Sequence, residues 1–576
     1  MTLMSEHRPD FKFQAVSILV PLLLLGFFSA VVSAADSAST KVDGLSREEA
    51  LKLGEQMYRE GILPSGEPLE ALVQGDIPVD STIFSCVSCH LRSGLGSVEG
   101  RVVTYPIDGI TLYKPMTKAW NMRWVGDSRF ARSVTGDLRP AYDDETLAAA
   151  IRGGVSSNGK MLNSVMPRYL LTDREMNILI FYLRNLSVNP SPGVTDTTIV
   201  LATIITDDVS QADREAMMGP LKVMVNASKT GRLSKMAKRA LAFDPDNLMN
   251  KGYMTFSLAS WELKGPREDW SRQLKAYYTN EPVFALVGGG SNGDWSPIHK
   301  FCEENRIPCI LPLTDLPAIS TTDWYTLYFS KGFYQEGEAA AKYLNGTADI
   351  SHDTPIIQVY RNNEQGLAMA KGFEEAWVHF NRKMPERRIL SSEEIVTADF
   401  WKQFTALHKQ AVILLWLGSK DLSCIAALAD NPDKLKMLFL SASFLGKEIY
   451  DLQEKVRRFV YITYPFRLPE DFNKYQPSLP GLQTSTQLPA DYSMIQAKTN
   501  FDVMIVTKSI FMLKGYFDRD RFLEVIDMMR DDLMVPLYTR LSFGPGQRYI
   551  SKGCYIVQLT DGPTPKLIGV SDWVIP

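Results

Sequence analysis

"EPVFALVGGG", Glu281–Gly290, is a short apolar run that starts after a proline and ends in a glycine turn. It reads as a buried strand whose end leaves room for close backbone approach. The same signature recurs down the chain, in "TTIVLATII", "IPCILPLTD", "TPIIQVYRNN", "AVILLWLGS", "KLKMLFLSAS" and "RRFVYITYP". Helical stretches such as "AMAKGFEEAWVHFN" separate several of these strands. Strands alternating with helices imply parallel sheets covered on both faces. The part after residue 197 has about 380 residues, too many for one such sheet, so it divides into two lobes.

The whole chain, at 576 residues, exceeds what one core supports. Its 45% apolar and 22% charged content is that of soluble globular protein. A net charge of −4 gives no electrostatic reason to expect nucleic acid or an anionic membrane as partner. The six cysteines are too few for a disulfide scaffold. At the amino terminus Arg8 and Lys12 precede "AVSILVPLLLLGFFSAVVSA", followed by small residues suited to signal-peptidase cleavage after Ala34. The run is also long enough to span a bilayer. Residues 1–34 are therefore a signal peptide or a retained inner-membrane anchor, and either way the rest is exported to the periplasm.

One pentapeptide stands out upstream of the strands: "CVSCH", Cys86–His90. Zinc needs about four ligands, and residues 40–190 contain no third cysteine and no second histidine. A thioredoxin-like dithiol would follow a strand, for which "DSTIFS" is weak support. His90, directly after the second cysteine, favours haem: two cysteines three apart can form thioethers with the vinyl groups, and the adjacent histidine faces the iron. The surrounding frame agrees. "LSREEALKLGEQMYREG" opens with Ser46 and Glu49 in capping-box spacing, and "LTDREMNILIFYLRNL" repeats that start with Thr172 and Glu175. Met176, Leu179, Ile180 and Leu183 form one helical stripe, and Gly54 with Tyr58 suits close crossing of the two helices. "DDETLAAAIRGG" and "MPRYLL" lie between them.

In this order of helix, CxxCH, helix, methionine loop and closing helix, residues 46–188 resemble a class I c-type cytochrome. The resemblance implies an all-α monohaem domain with one haem c attached at Cys86 and Cys89, His90 as axial ligand and Met166 as the sixth ligand. Met57, Met116, Met122, Met161 and Met176 compete for that last role, but Met57 and Met176 fall within helices, and Pro167 and Tyr169 single out Met166. Two segments, "GILPSGEPLEALVQGDIPVDST" and residues 97–140, enlarge the domain, either shielding the haem or forming a docking face.

A linker, residues 189–197 within "SVNPSPGVTDT", follows. Residues 198–576 resemble a type I periplasmic binding protein of the leucine/isoleucine/valine-binding kind, through "SRQLKAYYTNEPVFALVGGGSN", "IPCILPLTDLPAIS", "YFSKGFYQEGEAAAKYL" and the closing "SFGPGQRYISKGCYIVQL" with "GVSDWVIP". That implies an N-lobe of about 198–328 and 476–545 and a C-lobe of about 329–475 and 546–576, with ligand in the cleft between them. The family's contact positions map onto Ser291, Asn292, Leu313, Thr314 and Asp315, then Gln365 beside Glu364, and Ser443 beside Phe444. Asp315 stands where the family has an uncharged hydroxyl residue, which argues against a simple anion there. The acid that binds the amine of an amino acid is absent at Ser443–Phe444.

Neither GxGxxG nor GxxxxGK[ST] occurs, and no nucleophile–base set is evident. His299, His352, His379 and His408 lack metal-ligand spacing. Cys302 with Cys309, and Cys424 with Cys554, are candidate disulfides; buried free thiols fit equally. The expectation is a non-enzymatic, exported electron carrier with a periplasmic redox partner, coupled to a small-molecule-binding module. The alternative is a solute receptor for a transporter or sensor, with an accessory haem.

Overall fold

The computed structural model describes residues 41–576 except 75, 100–101, 117–137, 232–253, 431–434, 472–492, 530–537, 540 and 545. The signal segment and Met122 lie outside the described residues. Among the described residues no helix is long and apolar enough to cross a membrane.

The amino-terminal domain is framed by α1 (Arg47–Glu60), α2 (Cys86–His90), α3 (Asp144–Gly153) and α4 (Asp173–Asn185). Thr172 and Glu175 form a complete capping box, whereas Ser46 accepts from the Glu49 amide. Helices α1 and α4 cross at Gly54, where a Cβ would lie 2.4 Å from the Tyr182 Cβ, so the crossing requires glycine. Met57, Tyr58, Met176 and Leu179 fill the core between them. The domain is not all-α. The segment expected to be an irregular enlargement forms β1 (Glu70–Val73) and β2 (Ile77–Asp80), and β1 also pairs with β3 (Arg168–Tyr169). Alternation in Glu70-Ala71-Leu72-Val73 buries Ala71, which gives this small antiparallel sheet its hold on the core. "DSTIFS" is a turn, not a strand, because Asp80 accepts from Thr82 and the chain turns directly into α2. The linker is pinned: Gly193 sits against the Phe284 backbone and the Ser191 amide donates to the Phe517 carbonyl at 2.8 Å.

Two α/β sheets follow. The first holds β4 (Thr198–Thr206), β5 (Thr255–Leu263), β6 (Ala285–Val287), β7 (Cys309–Ile310) and β8 (Thr326–Leu327), in the order β8-β7-β6-β4-β5 and parallel throughout. The second holds β9 (Ile356–Arg361), β10 (Glu386–Leu390), β11 (Ala411–Trp416), β12 (Leu435–Ser441) and β13 (Val460–Tyr464), in the order β10-β9-β11-β12-β13. Two antiparallel strands, β14 (Tyr555–Leu559) and β15 (Leu567–Gly569), extend its edge. Numbered within each lobe, both parallel sheets run 2-1-3-4-5, the doubly wound order. Strand β5 went unread in the sequence because its polar residues break the apolar run.

The lobes exchange chain segments. From β8 the chain crosses into α5 (Phe333–Gly346), which packs with α6 (Glu364–His379) on the second sheet. Their contact is tight at Gly337, where a Cβ would come within 2.2 Å of the Met369 carbonyl. Helices α7 (Ser493–Met512) and α8 (Arg519–Asp527) return to cover the first sheet. The segment after Arg548 then runs beside the first crossing, at the parallel Tyr328↔Tyr549 bridge, before entering β14.

No cysteine is in a disulfide. The Cys302 thiol lies beside that of Cys309, and burial raises its pKa well above the usual thiol value. Cys424 packs on one face of the second sheet, whereas Cys554 lies beside Gln335 and Glu336 of α5 on the other, so the sheet itself separates that candidate pair.

Candidate functional site

Helix α2 places Cys86, Cys89 and His90 on little more than one turn, begun by Ser85 and ended by Leu91 in left-handed conformation. The His90 Nδ1–H donates to the Tyr105 carbonyl at 3.0 Å, which leaves Nε2 as the lone-pair nitrogen. Burial pulls the imidazole pKa down to about 4, so the ring is neutral, as a metal ligand must be. Burial also pushes the Cys86 thiol up to about 11, partly offset by the Tyr169 hydroxyl facing it. Tyr169 in turn donates to the Phe84 carbonyl at 2.7 Å, and the Gln74 amide donates to Ser164 at 3.0 Å. These bonds bring the Asn163–Tyr169 loop, with half-buried Met166, beside the approach to α2. Of the competing methionines, Met57, Met116 and Met176 are buried in the core and Met161 is 59% exposed. Ile83 is 68% exposed, and Phe84, Val165 and Leu170 are also open, on segments that this small sheet holds together. An apolar surface beside two thiols and a neutral histidine fits a covalently held porphyrin. Among the described residues no three His, Cys, Asp or Glu side chains converge as a protein-only metal site, at α2 or anywhere else. His299 is committed to Asp323 and the Tyr328 hydroxyl.

The residues after His90 dock on the N-lobe. The Ser93 amide donates to Glu524 of α8 at 3.0 Å, and its hydroxyl makes a short bond to the same carboxylate. Arg59 pairs with Asp520 at 2.6 Å, Arg521 with Asp108 at 2.9 Å, and Arg306 with Glu55 at 2.7 Å. Arg92 stacks on Trp324 at 4.2 Å, and Arg548 lies 4.6 Å from the same ring while paired with Asp527. Burial first, and the charge of Asp520 second, push the Glu524 carboxyl up to about 8. None of this was read from sequence, because its partners lie hundreds of positions apart.

The second site is the cleft where the carboxyl ends of both parallel sheets meet. Of the residues mapped there from the resemblance, three are spent on local structure. The Ser291 hydroxyl accepts from the Gly293 amide at 3.1 Å, Asn292 donates to the Asp208 carbonyl at 2.7 Å, and Thr314 Oγ1 accepts from the Leu316 amide at 3.1 Å. Leu313 is held by its amide on Gly289. Gln365 is half-buried in the first turn of α6, but the lobe-bridging residue is its neighbour: Glu364 binds Arg267 through both oxygens and accepts from the Asp294 amide at 3.3 Å. Asp315 and Ser443 come together around a residue absent from that set, Glu336. Its Oε2 accepts from Ser441 at 2.8 Å and from Thr463, at the ends of β12 and β13. Phe333 and Phe444 stack beside it with centroids 4.7 Å apart. On the N-lobe side the Lys498 ammonium lies 5.7 Å from both the Phe329 and Phe466 rings. Burial pulls the Lys498 pKa down, but Tyr538 and Asp315 outweigh it and keep the amine charged. Glu336 was legible: it falls on the apolar stripe of its helix, three after Phe333 and four before Ala340, where a carboxylate is costly without purpose.

The sequence matches no family model and no curated protein. Solved structures similar to it include a branched-chain amino acid ABC transporter protein from Thermus thermophilus with bound valine. That alignment has 11% identity and a TM-score of 0.43, covering 66% of this chain and 97% of the other. A solute-binding protein from R. palustris in complex with benzoate is similar at 10% identity and a TM-score of 0.43, covering 66% and 97%. A fatty acid ABC transporter substrate-binding protein from Thermomonospora curvata is similar at 16% identity and a TM-score of 0.41, covering 68% and 95%.

Proposed function

We propose that this chain is an exported two-lobed solute-binding receptor whose amino-terminal domain carries one covalently attached haem. The observation that carries the receptor reading is the cleft itself. Two sheets of one winding order turn their carboxyl strand ends toward each other, where doubly wound proteins take ligands. The lobes are joined by side-by-side crossing segments and bridged by Arg267–Glu364, the parts a hinge closing on a solute requires. Binding to the native state alone adds RT ln(1 + [L]/Kd), about 2.7 kcal/mol at a hundred times Kd. A solute panel read by melting of the full chain therefore tests the reading, with leucine, isoleucine, valine and benzoate as reference probes. A solute that raises the melting temperature and compacts the chain in solution scattering supports it; silence across the panel refutes it.

A second reading, an electron carrier whose two lobes dock its redox partner, is favoured by the geometry of α2. Cys86 and Cys89 would hold the porphyrin, His90 Nε2 would face the iron, and the Tyr105 carbonyl would fix the ring orientation. Haem bound there would supply reversible one-electron chemistry. Replacing both Cys86 and Cys89 with serine is expected to abolish the haem stain in denaturing electrophoresis, and retained stain refutes the attachment.

A further inference from the structure

Glu336 is 1% exposed, and the hydroxyls of Ser441, Thr463 and Ser443 surround its carboxyl. Oε2 accepts from Ser441 and Thr463, while Oε1 makes no well-formed hydrogen bond among the described residues. Burial pushes the Glu336 pKa up to about 7, so near neutral pH the group is poised between acid and carboxylate, and a cation reaching Oε1 would hold it ionised. Among the described residues no cation is bonded to it. Arg267 is committed to Glu364, with Asp294 and Asp208 acting on it as well. Lys498 is committed to Tyr538 and Asp315. The charge that acts on Glu336 most is another acid, Asp315. The hydroxyls mapped to hold a ligand carboxylate, those of Ser291 and Thr314, are bound to their own turns. The floor of the cleft thus offers an unpaired acid and an aromatic pair, and no ready receptor for an anion.

Building on the reading of the cleft as a solute site, we propose that Glu336 is the ligand anchor and that the solute is a small cationic amine without a carboxylate. Its ammonium donates to Glu336 Oε1, and its apolar body lies along Phe333 and Phe444. Three matched probes separate the outcomes on the full chain: benzylamine, benzyl alcohol and benzoate, titrated by calorimetry and followed by melting. Benzylamine is expected to bind and stabilise, and benzoate is expected to do neither. Glu336→Gln preserves size and the bonds from Ser441 and Thr463, and it should melt normally without probe while weakening benzylamine about ten- to a hundredfold. Asp315→Asn should weaken it less. Benzylamine binding that survives Glu336→Gln, or benzoate binding as tightly as benzylamine, overturns the anchor while leaving the cleft a solute site. Silence to all three probes overturns the anchor, and the cleft reading falls with it only if the wider solute panel is silent too.

Discussion

The carboxylate of Glu524, where the segment after CVSCH docks on the N-lobe, is expected to make the stability of this protein fall toward alkaline pH. Burial, with Asp520 adding to it, lifts its pKa to about 8, against an unfolded value of about 4.3. Between those values the folded chain holds a proton that the unfolded chain has released. Its contribution is therefore intact below the unfolded pKa and is lost as pH rises through about 8. The slope is about 1.4 kcal/mol per pH unit up to about pH 8 and then levels off, which amounts to roughly 3 kcal/mol between pH 6 and pH 9. The neighbouring raised acids, Asp518 and Asp527, each at about 6, are half titrated at pH 6 and add a smaller loss near the start of that window, common to wild type and variant. Glu524→Gln keeps an oxygen for the Ser93 amide and removes the titration. Urea unfolding followed by tryptophan fluorescence at each pH measures the slope, since Trp324 sits on this interface. Wild type should lose stability from pH 6 to about pH 8 and then level off, and the variant should lose about 3 kcal/mol less over the same range, the remainder coming from acids such as Glu336 that both share. Equal slopes in both proteins would refute the assignment of the interface proton to Glu524.

Gly54→Ala is expected to destabilise the amino-terminal domain by about 1–3 kcal/mol, because the new methyl meets Tyr182 and the Ile178 carbonyl; a melt of the fragment-free full chain reads it. Arg267→Ala should cost less than about 1 kcal/mol of stability, since the pair is partly exposed, yet should enlarge the radius of gyration in solution scattering by releasing the lobe bridge. Met166→Ala in haem-loaded protein should remove the red methionine–ferric absorption and open the iron to cyanide, and the same loss in Met161→Ala instead would move the sixth ligand.

The alternating strands, the Thr172–Glu175 capping box, the Ser46 cap and the close helix crossing at Gly54 were all legible, because each is written in local periodicity or in one residue's size. The hairpin Glu70–Asp80 was not, since its sheet is completed by Arg168 and Tyr169 far along the chain. The CVSCH turn is local, so the proximity of Cys86, Cys89 and His90 on one short helix was legible from their spacing. The cleft was legible only in outline. Family positions named Ser291 and Thr314, but a hydroxyl's use depends on which amide its turn presents, and here the turns claim both. Glu364, Lys498 and Tyr538 acquire meaning only when the lobes meet.

The contacts of the amino-terminal domain fall on one body: Asp520, Arg521 and Glu524 of α8, Arg306, and the Trp324 ring all belong to the N-lobe. Two bodies cannot occupy one surface. That flank of the N-lobe is therefore closed to any outside protein while the domain is seated. On the receptor reading proposed above, the domain would travel with the N-lobe as the lobes close, and the separation between the CVSCH helix and Glu364 would record how far the cleft has closed.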